Sequence, residues 1–194
     1  MSTPDAVGLR KPERGTFLVA APQLLDPNFM HAVVLLCDHG PDGSYGLIVN
    51  RPGRLTVRDL QSDAPLLDQR DDRLWLGGPI QLETLQVLHR LGPGIPGALH
   101  VIDDVHLGGD PAVLHAALGQ RHESRELVRF VLGYSGWGAG QLEAEIAEGT
   151  WVVCDADEAS VFDARPESVW RRVLRGLGGA FAHLADVPPD PSWN

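Results

Sequence analysis

The stretch "RELVRFVLGYSGWGAGQLEAEI", Arg125 to Ile146, decides how this chain folds. Its first half interleaves Leu127, Phe130 and Leu132 with Val128, Arg129 and Val131. Such density of β-branched and aromatic residues predicts a long central strand over 125–136. The glycines from Gly133 onward then predict a sharp reversal of the main chain, since glycine turns without a Cβ clash. After the reversal, Leu142 and Ile146 fall four apart on one face and Gly149 stops the run, which predicts a short helix over 141–148. Trp137 lies inside the turn, where with Tyr134 it plugs the end of a sheet or walls a small recognition pocket. "TWVVC", Thr150 to Cys154, returns as a strand.

Upstream, "TFLVAA" (Thr16–Ala21) and "AVVLLC" (Ala32–Cys37) are apolar runs too short for independent helices, and they read as buried strands. The turn cluster "DHGPDGS" separates the second run from "YGLIVNRP" (Tyr45–Pro52), which predicts a hairpin between Ala32–Cys37 and Tyr45–Asn50. Thr56 stands three residues before Asp59, the spacing of a capping box. Further strands are predicted at Arg73–Ile80, Leu85–Arg90 and Ala98–Asp104. Asp110, Pro111 and Gly119 supply the cap, first residue and stop of a helix. "PESVWRRVLRGLGGAFAHLA" carries Val169, Trp170, Val173, Leu174 and Leu177 at helical spacing and reads as one amphipathic helix from Pro166. Strands arrive in groups joined by short turns, so the expected class is α+β: a single domain with a largely antiparallel or mixed sheet flanked by helices. The domain is expected over 15–184, between a mobile arm (1–14) and a C-terminal tail (185–194).

Composition narrows the function. Of 194 residues, 43% are hydrophobic and 22% charged, ordinary for one globular core. The acidic net charge of −10 repels phosphate on average, so direct nucleic-acid binding is disfavoured. The one basic cluster, Arg171, Arg172 and Arg175, reads as a solvated helix face. Two cysteines make no disulfide framework and the polar start resembles no signal peptide, so the cytoplasm is the expected setting. The longest apolar run is far short of the roughly 20 residues that span a bilayer, and no membrane association is expected.

Candidate chemistry is thin. "CDHG" brings a thiol, a carboxylate and an imidazole together at Cys37–His39, but Cys37 closes an apolar run and reads as core. Ser135 in "GYSGWG" approaches a nucleophile elbow without matching its pattern. The eight histidines form no His-x-x-x-His pair; His100 and His106, flanking Asp103 and Asp104, are the nearest approach to a metal site. No glycine stretch fits a phosphate or dinucleotide loop, so no cofactor and no metal are expected.

Three segments taken together resemble the AlgH/YqgE family of bacterial proteins: "LLDPNFMHAVVLLCDHGPDGSYGLIVNRP", the Gly77–Pro79 "GGP", and "GYSGWGAGQLEAEI" from Gly133 to Ile146. One departure is His31, where the family pattern more often has arginine. The resemblance implies a compact α+β domain. It also implies the label of transcriptional regulator that some members carry, which rests on a proposed role in alginate regulation. No catalytic residues are established for the family, so none carry over. The combined reading is a non-enzymatic binding or regulatory module acting through an unknown protein or small-molecule partner. Its candidate cleft comprises His39, Asn50, Arg51, Gly78, Tyr134, Trp137 and Gln141. The competing reading is a hydrolase or transferase with Cys37 or Ser135 as nucleophile.

Overall fold

The computed structural model describes residues 10–68, 70–119, 124 and 126–186. Its spine is β9 (Val128–Gly138), an eleven-residue strand. The first half of β9 pairs antiparallel with β6 (Ile80–His89) and parallel with β5 (Arg73–Leu76). Its second half pairs antiparallel with β3 (Gly43–Ile48), from Gly46↔Ser135 to Gly43↔Gly138. Beyond β3 lie β2 (Val33–Gly40), β1 (Thr16–Ala20) and β10 (Trp151–Asp155). Beyond β6 lie β8 (Val105–Leu107) and β7 (Leu99–Ile102), and β4 (Pro52–Thr56) pairs with β5. The result is a ten-stranded sheet among the described residues, antiparallel except where β5 meets β9. With α1 (Pro111–Leu118), α2 (Gln141–Ala147), α3 (Glu158–Val161), α4 (Pro166–Leu177) and α5 (Gly179–Leu184), it forms the expected α+β domain.

Both faces of the sheet are covered, which explains why β1 and β2 read as continuous apolar runs rather than alternating ones. Phe17, Val19, Leu35 and Leu47 face Val169, Trp170 and Leu174 of α4. Leu18, Val34 and Ile48 face the other way, with Leu142 of α2, Trp137 and Trp151. A third cluster sets Leu114 and Leu118 of α1 against Leu74, Val87 and Phe130. Trp170 fixes α4 on the sheet by donating its indole N–H to the Ala20 carbonyl at 2.8 Å.

Several boundaries differ from expectation for local reasons. The β2–β3 hairpin is longer than predicted, because Asp38, His39 and Ser44 join the ladder and only Pro41 and Asp42 turn. β9 runs through Gly138, so the reversal is confined to the residues before Gly140 (φ 72°), the N-cap of α2. Ala98–Asp104 is not one strand: Asp103 (φ 46°) turns the chain between β7 and β8. The helix predicted from Pro166 breaks at Gly178 (φ 69°) into α4 and α5. Thr56 and Asp59 make the expected capping contacts, the Asp59 carboxylate accepting the Thr56 N–H at 2.7 Å, but they start a 3-10 turn rather than an α-helix. Arg10, inside the expected arm, donates its N–H to the Val153 carbonyl at 3.0 Å and pairs with Asp155 at 2.8 Å. Arm residues 1–9 and tail residues 187–194 lie outside the described residues.

The Gly77–Gly78 turn packs directly under β9. A Cβ at Gly78 (φ 152°) would sit closer than 3.0 Å to the Tyr134 carbonyl and the Ser135 hydroxyl, whereas one at Gly140 would meet nothing within 4 Å. Gly78→Ala is therefore expected to cost about 3 kcal/mol or more, and Gly140→Ala only about 1 kcal/mol from its backbone angle. Urea midpoints at unchanged slope measure the difference.

Candidate functional site

The structure does not gather the seven sequence candidates into one cleft. Trp137 and Gln141 join a closed hydrogen-bonded knot at the start of α2. The Glu145 carboxylate accepts the indole N–H groups of Trp137 at 2.9 Å and Trp151 at 2.7 Å, and the Gln141 side-chain amide at 2.9 Å. Gln141 Oε1 in turn accepts the Gly138 N–H at 3.0 Å. His39 stands nearby, with Nδ1 2.8 Å from the Ser44 hydroxyl and Nε2 3.6 Å from Glu143. Tyr134 lies three residues before Trp137 on the same strand and so points to the opposite face, its ring 5.0 Å from that of Tyr45. Gly78 is backbone packing beneath Tyr134. Asn50 and Arg51 sit past the far end of β3, about 20 Å along an extended chain from the His39–Ser44 pair.

The nucleophile candidates are sealed. Cys37 is fully buried and burial pushes its thiol up to about 12, far from a reactive thiolate. Ser135 is equally buried and donates its hydroxyl to the Gly77 carbonyl at 3.0 Å. The Ser44–His39–Glu143 row places a hydroxyl, an imidazole and a carboxylate in sequence. Acyl transfer also needs amide donors for an oxyanion, and the N–H of Gly138, which faces Gly43 beside Ser44, is already held by Gln141.

Among the described residues no group of three or more His, Cys, Asp or Glu side chains is arranged to hold a metal. His100 and His106 do meet edge to face, 5.3 Å between centroids, but each bonds a main-chain carbonyl, of Asp103 and Asp104 respectively, at 2.8 Å. His106 also stacks on His89, which is fully buried between the Gly108 carbonyl and the Leu91 N–H.

Asn50 and Arg51 do line an open polar cleft of about 480 Å³, together with His31, Glu167, Trp170 and Arg171. The Asn50 amide bridges two segments, accepting the Val33 N–H at 2.8 Å and donating to the His31 carbonyl at 2.9 Å. Arg51 clamps the loop before β2, donating to the carbonyls of Asn28 and, at 3.0 Å, Met30. These contacts hold His31 in a left-handed conformation (φ 56°) with its ring 4.2 Å from that of Trp170. Partial burial lowers the His31 pKa, and the positive charges of Arg171 and Arg51 lower it further. The lining of the cleft thus carries two arginines against one carboxylate, Glu167, on an acidic protein. Sequence reading singled out His31 only as a departure from the family pattern and took Arg171 as solvated. The signal for Arg171 lay in its neighbours: Arg172 pairs with Asp163 at 2.5 Å and Arg175 with Asp186, which leaves Arg171 to face the cleft.

Residues 17–182 match the model of the AlgH-like family. The chain belongs to the AlgH-like family. It is 41% identical to a UPF0301 protein of Chlorobaculum tepidum over 93% of this chain and 95% of that one. A UPF0301 protein of Chlamydia muridarum is 37% identical over 91% and 92% of the two chains. The solution structure of the AlgH protein of Pseudomonas aeruginosa superimposes with a TM-score of 0.66 at 30% identity, covering 97% of each chain. A crystal structure from Corynebacterium diphtheriae shares the fold, with a TM-score of 0.75 at 21% identity over 94% of this chain and 96% of that one. This AlgH-like domain has no helix among its described residues long and apolar enough to cross a membrane.

Two measurements test this placement. Burial lowers the His89 pKa in the folded state, so folding favours its neutral form. Stability from His89, and in part from His31, is therefore fully present above the ordinary histidine value of about 6.5 and is lost as pH falls below it. His89→Gln is expected to flatten the fall in urea midpoint between neutral and mildly acidic pH. Native-state alkylation of Cys37 by iodoacetamide is expected to proceed only through unfolding, its rate tracking the unfolded fraction across urea.

Proposed function

We propose that this AlgH-like protein is a non-enzymatic cytoplasmic binding module that recognises an anionic group of a protein or small-molecule partner in the His31–Asn50–Arg51–Arg171 cleft. The observation that carries the reading is that Arg51 and Arg171 line one cleft beside His31, against the single carboxylate of Glu167; the His31 pKa is lowered first by burial and then by these two positive charges. An anion seated there would relieve this repulsion, whereas a cation would add to it. The sealed thiol of Cys37 and hydroxyl of Ser135 support binding over covalent chemistry.

A regulatory role, where the resemblance points, then runs through such a partner rather than through direct DNA contact. The net charge of −10 opposes a phosphate footprint. Of the three helix arginines that might have made one, Arg172 and Arg175 are neutralised by Asp163 and Asp186.

The test is an NMR titration of the His31 ring with inorganic phosphate as the probe. Phosphate is expected to raise the His31 pKa saturably. Arg171→Ala is expected to raise it without phosphate and to weaken the phosphate effect, while Arg175→Ala changes neither. A His31 pKa indifferent to phosphate sinks the reading.

A further inference from the structure

The geometry points to a second ligand site, distinct from the His31 cleft, in which Arg129 takes a small organic monocarboxylate. The site is a cavity of about 510 Å³ lined by residues of β5, the start of β9 and the connection from α3 to α4. Its size suits a small ligand, and its walls include Trp75, Val128, Phe162 and Pro166, apolar surfaces for a flat organic body.

Arg129 is the unusual component. It is only 3% exposed, and its guanidinium lies over the Trp75 ring, 3.5 Å from the centroid, with the Phe162 ring at 5.8 Å. Two of its N–H groups donate to main-chain carbonyls, Val49 at 2.9 Å and Asp163 at 2.7 Å, and its Nε has no partner. None of these contacts is to a carboxylate. A buried cation held by neutral dipoles alone carries a desolvation cost that an opposite charge would relieve. Burial accordingly drives the Arg129 pKa down to about 9.

Asp163 eases the Arg129 charge from a distance, but no acidic group lining the cavity binds the guanidinium directly. Asp72 is bound by Arg70 at 2.8 Å and by the Ser124 N–H at 2.9 Å. Asp71 pairs with Arg58 at 3.0 Å. The Asp163 carboxylate accepts from Arg172 and from the Arg165 N–H at 2.6 Å. Glu126 is exposed at the rim, where water screens it. Pro166, the first residue of α4, brings the positive end of a twelve-residue helix to the same wall.

Two arginines line the cavity, Arg73 exposed at its edge and Arg129 buried, and the buried one calls for a single negative charge. A dianion would exceed it and would meet Asp71, Asp72 and Glu126 on the way in. This selects a monocarboxylate with an apolar body over a phosphate.

The experiment follows the Arg129 Nε–H resonance of the full chain by NMR during titration with benzoate, with benzamide as the neutral isostere and inorganic phosphate as the dianion. Benzoate is expected to give a saturable shift. Benzamide should bind at least about tenfold more weakly, as the loss of a charge-assisted contact requires. Ala164→Trp, at an exposed rim position, is expected to weaken benzoate binding at least about tenfold while leaving the rest of the spectrum folded. It is preferred to a change at Arg129, which would leave two buried carbonyls without donors. Absence of a saturable benzoate shift overturns the site. Equal binding of benzamide or phosphate overturns the carboxylate assignment, and undiminished binding to folded Ala164→Trp overturns the location.

Discussion

Three stretches of backbone meet at Gly77, Gly78 and Gly133, and the architecture depends on their being able to touch. The Gly77 N–H donates to the Leu132 carbonyl at 2.8 Å, and the Gly77 carbonyl accepts from both the Ile48 N–H at 2.9 Å and the Ser135 hydroxyl at 3.0 Å. A Cβ at any of the three glycines would lie closer than 3.0 Å to main-chain oxygen. Past Gly133 (φ 67°) β9 exchanges β5 for β3, while β6 stays paired with it as far as Tyr134. Without that crossing there would be two separate sheets. With it, one strand carries the load of both, and Ser135 becomes a packing residue whose hydroxyl satisfies a buried carbonyl.

The same economy governs buried charge. Glu145 ties two tryptophans to α2 and closes the aromatic end of the sheet, so Trp137 serves structure there. Around the first turn of α4 the buried charge is instead a cation, Arg129. The His31 cleft lies along one side of that turn, with Glu167, Trp170 and Arg171, and the Arg129 cavity reaches the other, at Asp163 and Pro166. Val49, whose carbonyl holds Arg129, immediately precedes Asn50 and Arg51, so one short segment after β3 serves both places.

Much of the fold was legible from short windows. The apolar runs of β1 and β2, the Asp110–Pro111 start and Gly119 stop of α1, and the Leu142–Ile146 face of α2 all formed where the local pattern placed them. The candidate site was less legible. Tyr134 and Trp137 look like a pair in sequence, yet an odd spacing on a strand sends them to opposite faces, and β9 extends far enough for that rule to apply. Asn50 and Arg51, just past the end of β3, hold the loop before β2. His31 escaped notice as a site residue because its position depends on Arg51 and Asn50 holding its loop from across the sheet.

By itself the sequence determined the class of fold, the family, the start and stop of α1, and the overall negative charge. These depend on interactions among residues a few positions apart, or on simple sums. Tertiary structure alone decided that β9 exchanges β5 for β3 past Gly133, that Arg129 of an ordinary-looking strand is buried over Trp75 without a carboxylate bound to it, and that Arg171, rather than Arg172 or Arg175, faces the His31 cleft. Each of these is set by contacts between segments distant in the chain, where the energy of burial and the closing of long loops, rather than any local pattern, select the partner.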